Sequence, residues 1–123
     1  MDLPSRPGRG SDLVGRLRAT DALKEEKDKK TIAKLKDALN NDPFYGVRIN
    51  ASSALESIHT DEAFDALSDS LDQSDARVRL RVVEYLGRFY RSEVLELMQT
   101  VLASEKNPDI VAAAIEAVGR YSS

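Results

Sequence analysis

Cysteine is absent from the 123 residues, which removes disulfides, thiol catalysis and thiolate metal sites together and leaves the redox compartment open. Histidine occurs once. That residue, His59, stands in the stretch IHTDEA and reads as an exposed loop position, where Asp61 and Glu62 could add only a weak adventitious metal contact. Zinc hydrolysis needs two imidazoles and a carboxylate to hold the metal, with a further Glu to activate water. One histidine cannot supply that set. No P-loop or GxGxxG is present to hold phosphate, and no serine has a base partner. The expected inventory is therefore no catalytic residue, no cofactor and no metal ligand. Nowhere do 18 apolar residues follow one another, and no apolar run of signal-peptide kind opens the chain, so no membrane partner is expected and the compartment stays open. Aromatics are few, three Phe and four Tyr. A hydrophobic content of 41% then implies a core of Ala, Leu and Val, which suits close helix stacking.

Charge is plentiful but nearly balanced, at 32% of residues and a net −3, which demands neither nucleic acid nor an anionic membrane. Residues 1–41 carry ten Lys/Arg against seven Asp/Glu, and residues 42–123 eight against fourteen. The run Lys24 to Lys30 is interrupted by Glu25, Glu26 and Asp28 and reads as an exposed turn. Asp61, Glu62, Asp65, Asp69 and Asp72 are spread along and after one surface helix, as a solvated face is.

What the chain does have is recurrence. In DARVRLRVVEYLGRFY, Val78, Val82, Tyr85, Leu86 and Phe89 follow the spacing of one helix face. The pattern returns at offsets of 31 or 32 residues: Leu17, Ile49, Leu80 and Ala112; Ala19, Ala51, Val82 and Ala114; Ala22, Ala54, Tyr85 and Ala117; Leu23, Leu55, Leu86 and Val118. A fifth column, Glu26, Ile58, Phe89 and Tyr121, is apolar in three positions of four. A second helix type recurs with it, at Ile32, Leu35 and Leu39, then Phe64, Leu67 and Leu71, then Leu95, Met98 and Leu102. Such periods predict an all-α fold, a right-handed α-α superhelix of about three and a half two-helix repeats. Naming the two helix types A and B, the expected spans are B 11–25, A 30–40, B 43–58, A 61–72, B 75–90, A 92–104 and B 108–121, after a disordered leader or expression remnant at 1–10. Opening on a B helix without its A partner, the chain is expected to be part of something longer.

Helix starts carry recognisable capping chemistry. Asp42-Pro43 and Asn107-Pro108 place a capping side chain before a proline at the first helical position, where its missing N–H costs nothing. Ser11 or Asp12, Thr60, Ser74 or Asp75, and Ser92 are the remaining expected caps. Gly87 and Gly119 fall inside B helices, at a cost of about 1 kcal/mol relative to Ala, so close backbone approach is expected at both.

Arg16, Arg48 and Arg79 share one column, which Val111 fills in the last unit. On a helical wheel they lie inside the apolar arc, and a guanidinium there needs acceptors. Asp75, Asp42 or a loop carbonyl of an adjacent unit is the expected supply. The column reads as a structural ladder between repeats; a ligand site is the alternative. Arg77, Arg81 and Arg88 occupy the exposed side of the same helix, interrupted by Glu84, as a candidate interaction surface that Asp109, Ala113 and Arg120 do not extend.

The pattern RVRLRVVEYLG, and more loosely GVRINASSALES, resembles the HEAT repeat over about Ser11 to Tyr121. The run NDPFYGVRINASSAL, with GRLRATDAL before it and LGRFY after, resembles the HEAT-like C-terminal region of bacterial zinc metallo-aminopeptidases. That resemblance implies a catalytic domain upstream and a non-catalytic scaffold here, whose partners are other domains of the parent chain or another protein. The function expected is thus a non-catalytic scaffold or interaction domain, with a stand-alone protein-binding module or a nucleic-acid-binding solenoid as alternatives. Oligomeric state is left open. Apolar patches around Leu13 and Leu17, or around Val111, Ile115 and Val118, are expected where the series ends, and a charge at Ile115 is expected to destabilise the last unit.

Overall fold

The computed structural model describes residues 11–23 and 29–122, without the side chains of residues 11, 12, 21–23 and 122. The expected leader, the first cap, the end of the first helix and the positions of Ala22, Leu23 and Glu26 lie outside that description. Among the described residues every regular element is a helix: α1 (Ser11–Leu23), α2 (Lys29–Asn41), α3 (Tyr45–Ile58), α4 (Asp61–Ser68), α5 (Ala76–Leu86), α6 (Glu93–Ser104) and α7 (Pro108–Ser122). They form two layers. The B-type helices α1, α3, α5 and α7 pack each against the next, and α2 and α4 lie across α3 while α6 rests on α7. The chain is an all-α solenoid.

One continuous core runs through it. Its centre is the set Val78, Val82, Val83 and Leu86 of α5, all fully buried, against Ala51, Ala54 and Leu55 of α3 and Ile110, Ala114 and Ala117 of α7. Ile32, Leu35, Leu39, Phe64, Leu67 and Met98 close it from the A layer. The column of Leu17, Ile49 and Leu80 is only half buried, and Ala112 is exposed. Two positions earlier, Val47, Val78 and Ile110 form the fully buried column. In the column of Thr20, Ser52 and Val83, the two hydroxyls are buried only because each bonds its own helix, to the carbonyls of Arg16 and Ile49 at 2.6 Å. Ile115, the last member, is 57% exposed. The expectation that a charge there would unsettle the last unit is corrected by that exposure.

Helix ends differ from expectation where a side chain has a stronger competing partner. Asp42 does not start a helix at Pro43. Its Oδ1 accepts from the Phe44 N–H at 2.9 Å, and α3 begins only after Phe44, which has no side-chain cap. Thr60 caps α4 by accepting from the Ala63 N–H, Asp75 caps α5 through the Arg77 N–H, and Asn107 caps α7 through the Asp109 N–H. Ser92 is itself helical and makes no cap bond; Glu93 and Glu96 in the first turn of α6 supply negative charge there instead. α5 ends at Leu86 rather than Tyr90. Arg120 Nη1 of α7 donates to the Gly87 carbonyl at 3.0 Å, and the Arg91 N–H bonds Phe89 rather than continuing the helix.

Gly87 is where two B helices come closest. A Cβ built there would stand 3.0 Å from the Ala117 Cβ and 3.0 Å from Arg120 Nη1, whereas one at Gly119 meets nothing within 4 Å. Only Gly87 shows the close approach expected of both. Gly87→Ala should therefore destabilise by about 1–3 kcal/mol through overpacking, and Gly119→Ala should stabilise by up to about 1 kcal/mol through helix propensity. Thermal melts of the two variants check the contrast; equal shifts would contradict it. By the same method Ile115→Lys should stay within about 0.5 kcal/mol of the parent, while Leu67→Ala, emptying a fully buried position, should lose about 2–5 kcal/mol.

Candidate interaction surface

The arginine column lies at one end of the helix pairs, along the turns that lead from each A helix into its B helix. Two constraints repeat there. First, the guanidiniums of Arg48 and Arg79 are anchored to their own turns: Arg48 Nε donates to the Asp42 carbonyl at 2.6 Å, and Arg79 Nη1 to the Gln73 carbonyl at 2.8 Å, each six residues back. Second, each reaches the next turn. Arg16 Nε lies 2.7 Å from Asp42 Oδ2, Arg48 Nη1 donates to Gln73 Oε1 at 3.2 Å, and Arg79 donates through Nε and Nη2 to both Glu105 oxygens at 2.8 and 3.0 Å. The Arg16 N–H does not point at its carboxylate, so that short contact is Coulombic rather than a directed hydrogen bond. The Arg79–Glu105 fork is the strongest of the three by geometry.

Asp75, expected among the acceptors, stands apart from this row. Its carboxylate takes the Arg77 backbone N–H at 2.8 Å and the Arg77 side chain at 3.1 and 2.8 Å, and it reaches Arg79 only through space. The acceptors that sequence reading missed are Gln73 and Glu105. A signal for the second was present, since Arg16 to Asp42 and Arg79 to Glu105 are both 26 residues apart. Gln73 carried none, being one residue out of step and neutral.

Arg77, Arg81 and Arg88 are exposed, yet each is already engaged. Arg77 lies over the Tyr45 ring, its Cζ 3.5 Å from the ring centre, besides holding Asp75. Arg81 donates to Glu84 at 2.9 Å. Arg88 lies 5.0 Å from the Tyr85 ring centre and 3.9 Å from Glu56. They present alternating charge rather than a basic stripe.

At the opposite end of the helix pairs, a second set of side chains links consecutive B-to-A turns. His59, with φ 60° and ψ 34°, closes α3 in the left-handed conformation, and its ring stacks on Phe89 at 4.0 Å. Phe89 meets Phe64 edge-on at 5.2 Å, Arg91 covers Phe64 at 4.2 Å and donates to Asp61 at 2.8 Å, and the Tyr121 hydroxyl donates to the Phe89 carbonyl. The exposed loop histidine of the sequence reading is thus also an inter-unit contact. Among the described residues no group of three His, Asp or Glu side chains is placed to hold a metal ion, and no helix is long and apolar enough to cross a membrane.

Stacked helix pairs with one turn-to-turn contact set at each end define an α-solenoid built from repeats. The family model for HEAT repeats matches residues 9–80 and 65–123, and the chain belongs to the HEAT-repeat family. No curated protein sequence matches it.

The hydrogen bonds from Arg79 hold the Glu105 carboxyl below its ordinary 4.5, outweighing the upward push of burial. Arg77 likewise holds Asp75 at about 2. A depressed carboxyl contributes stability that is present above its unfolded pKa and lost as pH falls through the folded one. The protein should therefore lose stability from about pH 4.5 downward, and Glu105→Gln should flatten that fall while lowering stability at pH 7. Chemical denaturation across pH 2–7 measures both; an unchanged acid slope in the variant would remove Glu105 from the account.

Proposed function

We propose that the chain works as a non-catalytic scaffold that presents an extended surface to another polypeptide or to another domain of its own parent protein. HEAT repeats commonly mediate protein interactions. The observation that carries the reading is where the reactive side chains go. The ladder arginines, Glu105, His59 and Arg91 are engaged in joining one unit to the next, leaving the B-helix face, with Tyr45, Ile49, Leu80 and Tyr85 half exposed between charged neighbours, as contact surface. The acid partners of Arg77, Arg81 and Arg88 favour a polypeptide over a nucleic-acid backbone, which rewards unpaired cations.

The finer placement, as the C-terminal region of a zinc metallo-aminopeptidase-like protein, rests on the resemblance of residues 41–55 and their flanks. It predicts a native polypeptide much longer than 123 residues with HExxH upstream. Immunoblotting and mass spectrometry of the native protein decide this, and a native size equal to the chain removes the enzyme link. The scaffold reading itself predicts that the isolated chain folds cooperatively as a helical domain and does not hydrolyse aminoacyl substrates with zinc added. Turnover that a chelator abolishes would overturn it.

A further inference from the structure

Of the three ladder arginines, two face a carboxylate and one does not. Arg16 has Asp42 and Arg79 has Glu105, but Arg48 meets only the Asp42 carbonyl and the neutral side chain of Gln73. Among the described residues it has no ion pair. Asp42 cannot serve it with charge, because its carboxylate is taken by Arg16 and the Phe44 N–H. Gln73 is itself fixed, donating to Asn40 Oδ1 at 2.9 Å. The middle rung of the ladder thus keeps an uncompensated positive charge on a half-buried guanidinium.

That guanidinium lines an open cavity of about 290 Å³ with Phe44, Tyr45, Ser74, Asp75 and Arg77. Two arginines and one aspartate leave the cavity one positive charge in excess, and Asp75 is already committed to Arg77. Phe44 and Tyr45, their ring centres 5.0 Å apart, give it an apolar wall. A partly desolvated guanidinium gains more from a carboxylate than one in open water, and forms the stronger, charge-assisted bond with it.

We propose that this cavity is a docking point for an acidic side chain, Asp or Glu, of a partner polypeptide: its carboxylate pairs with Arg48 and its neighbouring apolar atoms lie on Phe44 and Tyr45. The partner supplies the carboxylate that the second unit lacks and the first and third possess. This deepens the reading of the chain as an interaction scaffold and rests on it.

The test is a chemical-shift titration of the full, 15N-labelled chain with three probes: a blocked four-residue peptide containing one glutamate, its glutamine counterpart, and inorganic phosphate. Shifts confined to residues 43–48 and 73–77, with the glutamate peptide binding roughly tenfold tighter than the glutamine one, are expected. Arg48→Gln should abolish the difference between the two peptides. Because that change also removes a rung, a second variant is needed: Asp75→Asn keeps a capping side chain but removes the competing carboxylate, and should tighten glutamate-peptide binding about threefold. Equal binding of both peptides, weakened binding in Asp75→Asn, or unchanged discrimination in a folded Arg48→Gln protein would overturn the proposal. Phosphate binding as tightly as the glutamate peptide would assign the cavity to small anions and also overturn it. If the glutamate peptide fails but longer polypeptide probes still shift the B-helix face, this site falls alone; if both fail, the scaffold reading falls with it.

Discussion

No helix pair in this chain can bury its apolar side without the next pair, and that constraint sets nearly everything else. α5 shows it most plainly: Val78, Val82 and Leu86 are fully buried because α3 lies on one side and α7 on the other. Burial of this kind stabilises by roughly 1.5–3 kcal/mol per aliphatic side chain. It fixes a spacing between units without fixing their rotation about the stack. The polar contacts at the two ends of the helix pairs supply that second constraint, since a misrotated unit would separate Arg79 from Glu105 at one end and His59 from Phe89 at the other.

Placing guanidinium groups inside the apolar arc carries a cost that the turns offset. Arg48 and Arg79 each reach the backbone of their own turn as well as a neighbour, so two or more bonds orient each of them and the pairing geometry is prepared in advance. Where the neighbour offers a carboxylate with both oxygens, as Glu105 does, the rung closes within the chain. Where it offers an amide, as Gln73 does, the charge remains for something outside. One substitution in a repeated frame thereby separates structural from available charge.

The architecture was legible in the sequence because a repeat prints its core several times. Val82, Leu86 and Leu55 stand out in any column count, and their burial follows. The details that escaped involve partners unrelated to periodicity. Val78 was read as part of the apolar face, but its counterparts Val47 and Ile110 were overshadowed by the column of Leu17, Ile49 and Leu80 beside them, since helical spacing alone does not tell a half-buried stripe from a buried one two residues away. The end of α5 depends on Arg120 withdrawing the Gly87 carbonyl, an event 33 residues distant. Ser92 looked like a cap by type, but its backbone is helical and its hydroxyl makes no cap bond. Asp75 was expected as an acceptor for the arginine column, whereas Arg77, two residues away, holds its carboxylate. Of the candidate surface, the exposure of Arg77, Arg81 and Arg88 was readable, but the contacts of Arg77 with Tyr45 and of Arg88 with Glu56 were not, because Tyr45 and Glu56 come from another helix.

The brevity of α4 has a mechanical meaning. With only eight residues it leaves the A layer interrupted, so that a space of about 520 Å³ opens between the turn after α4 and the end of α6, over Val83. Stiffness along the stack therefore passes through the B helices and the Arg79–Glu105 fork at that point rather than through both layers. A force that bends the solenoid would be absorbed there first, turning the boundary between the second and third units into the natural crease of the molecule.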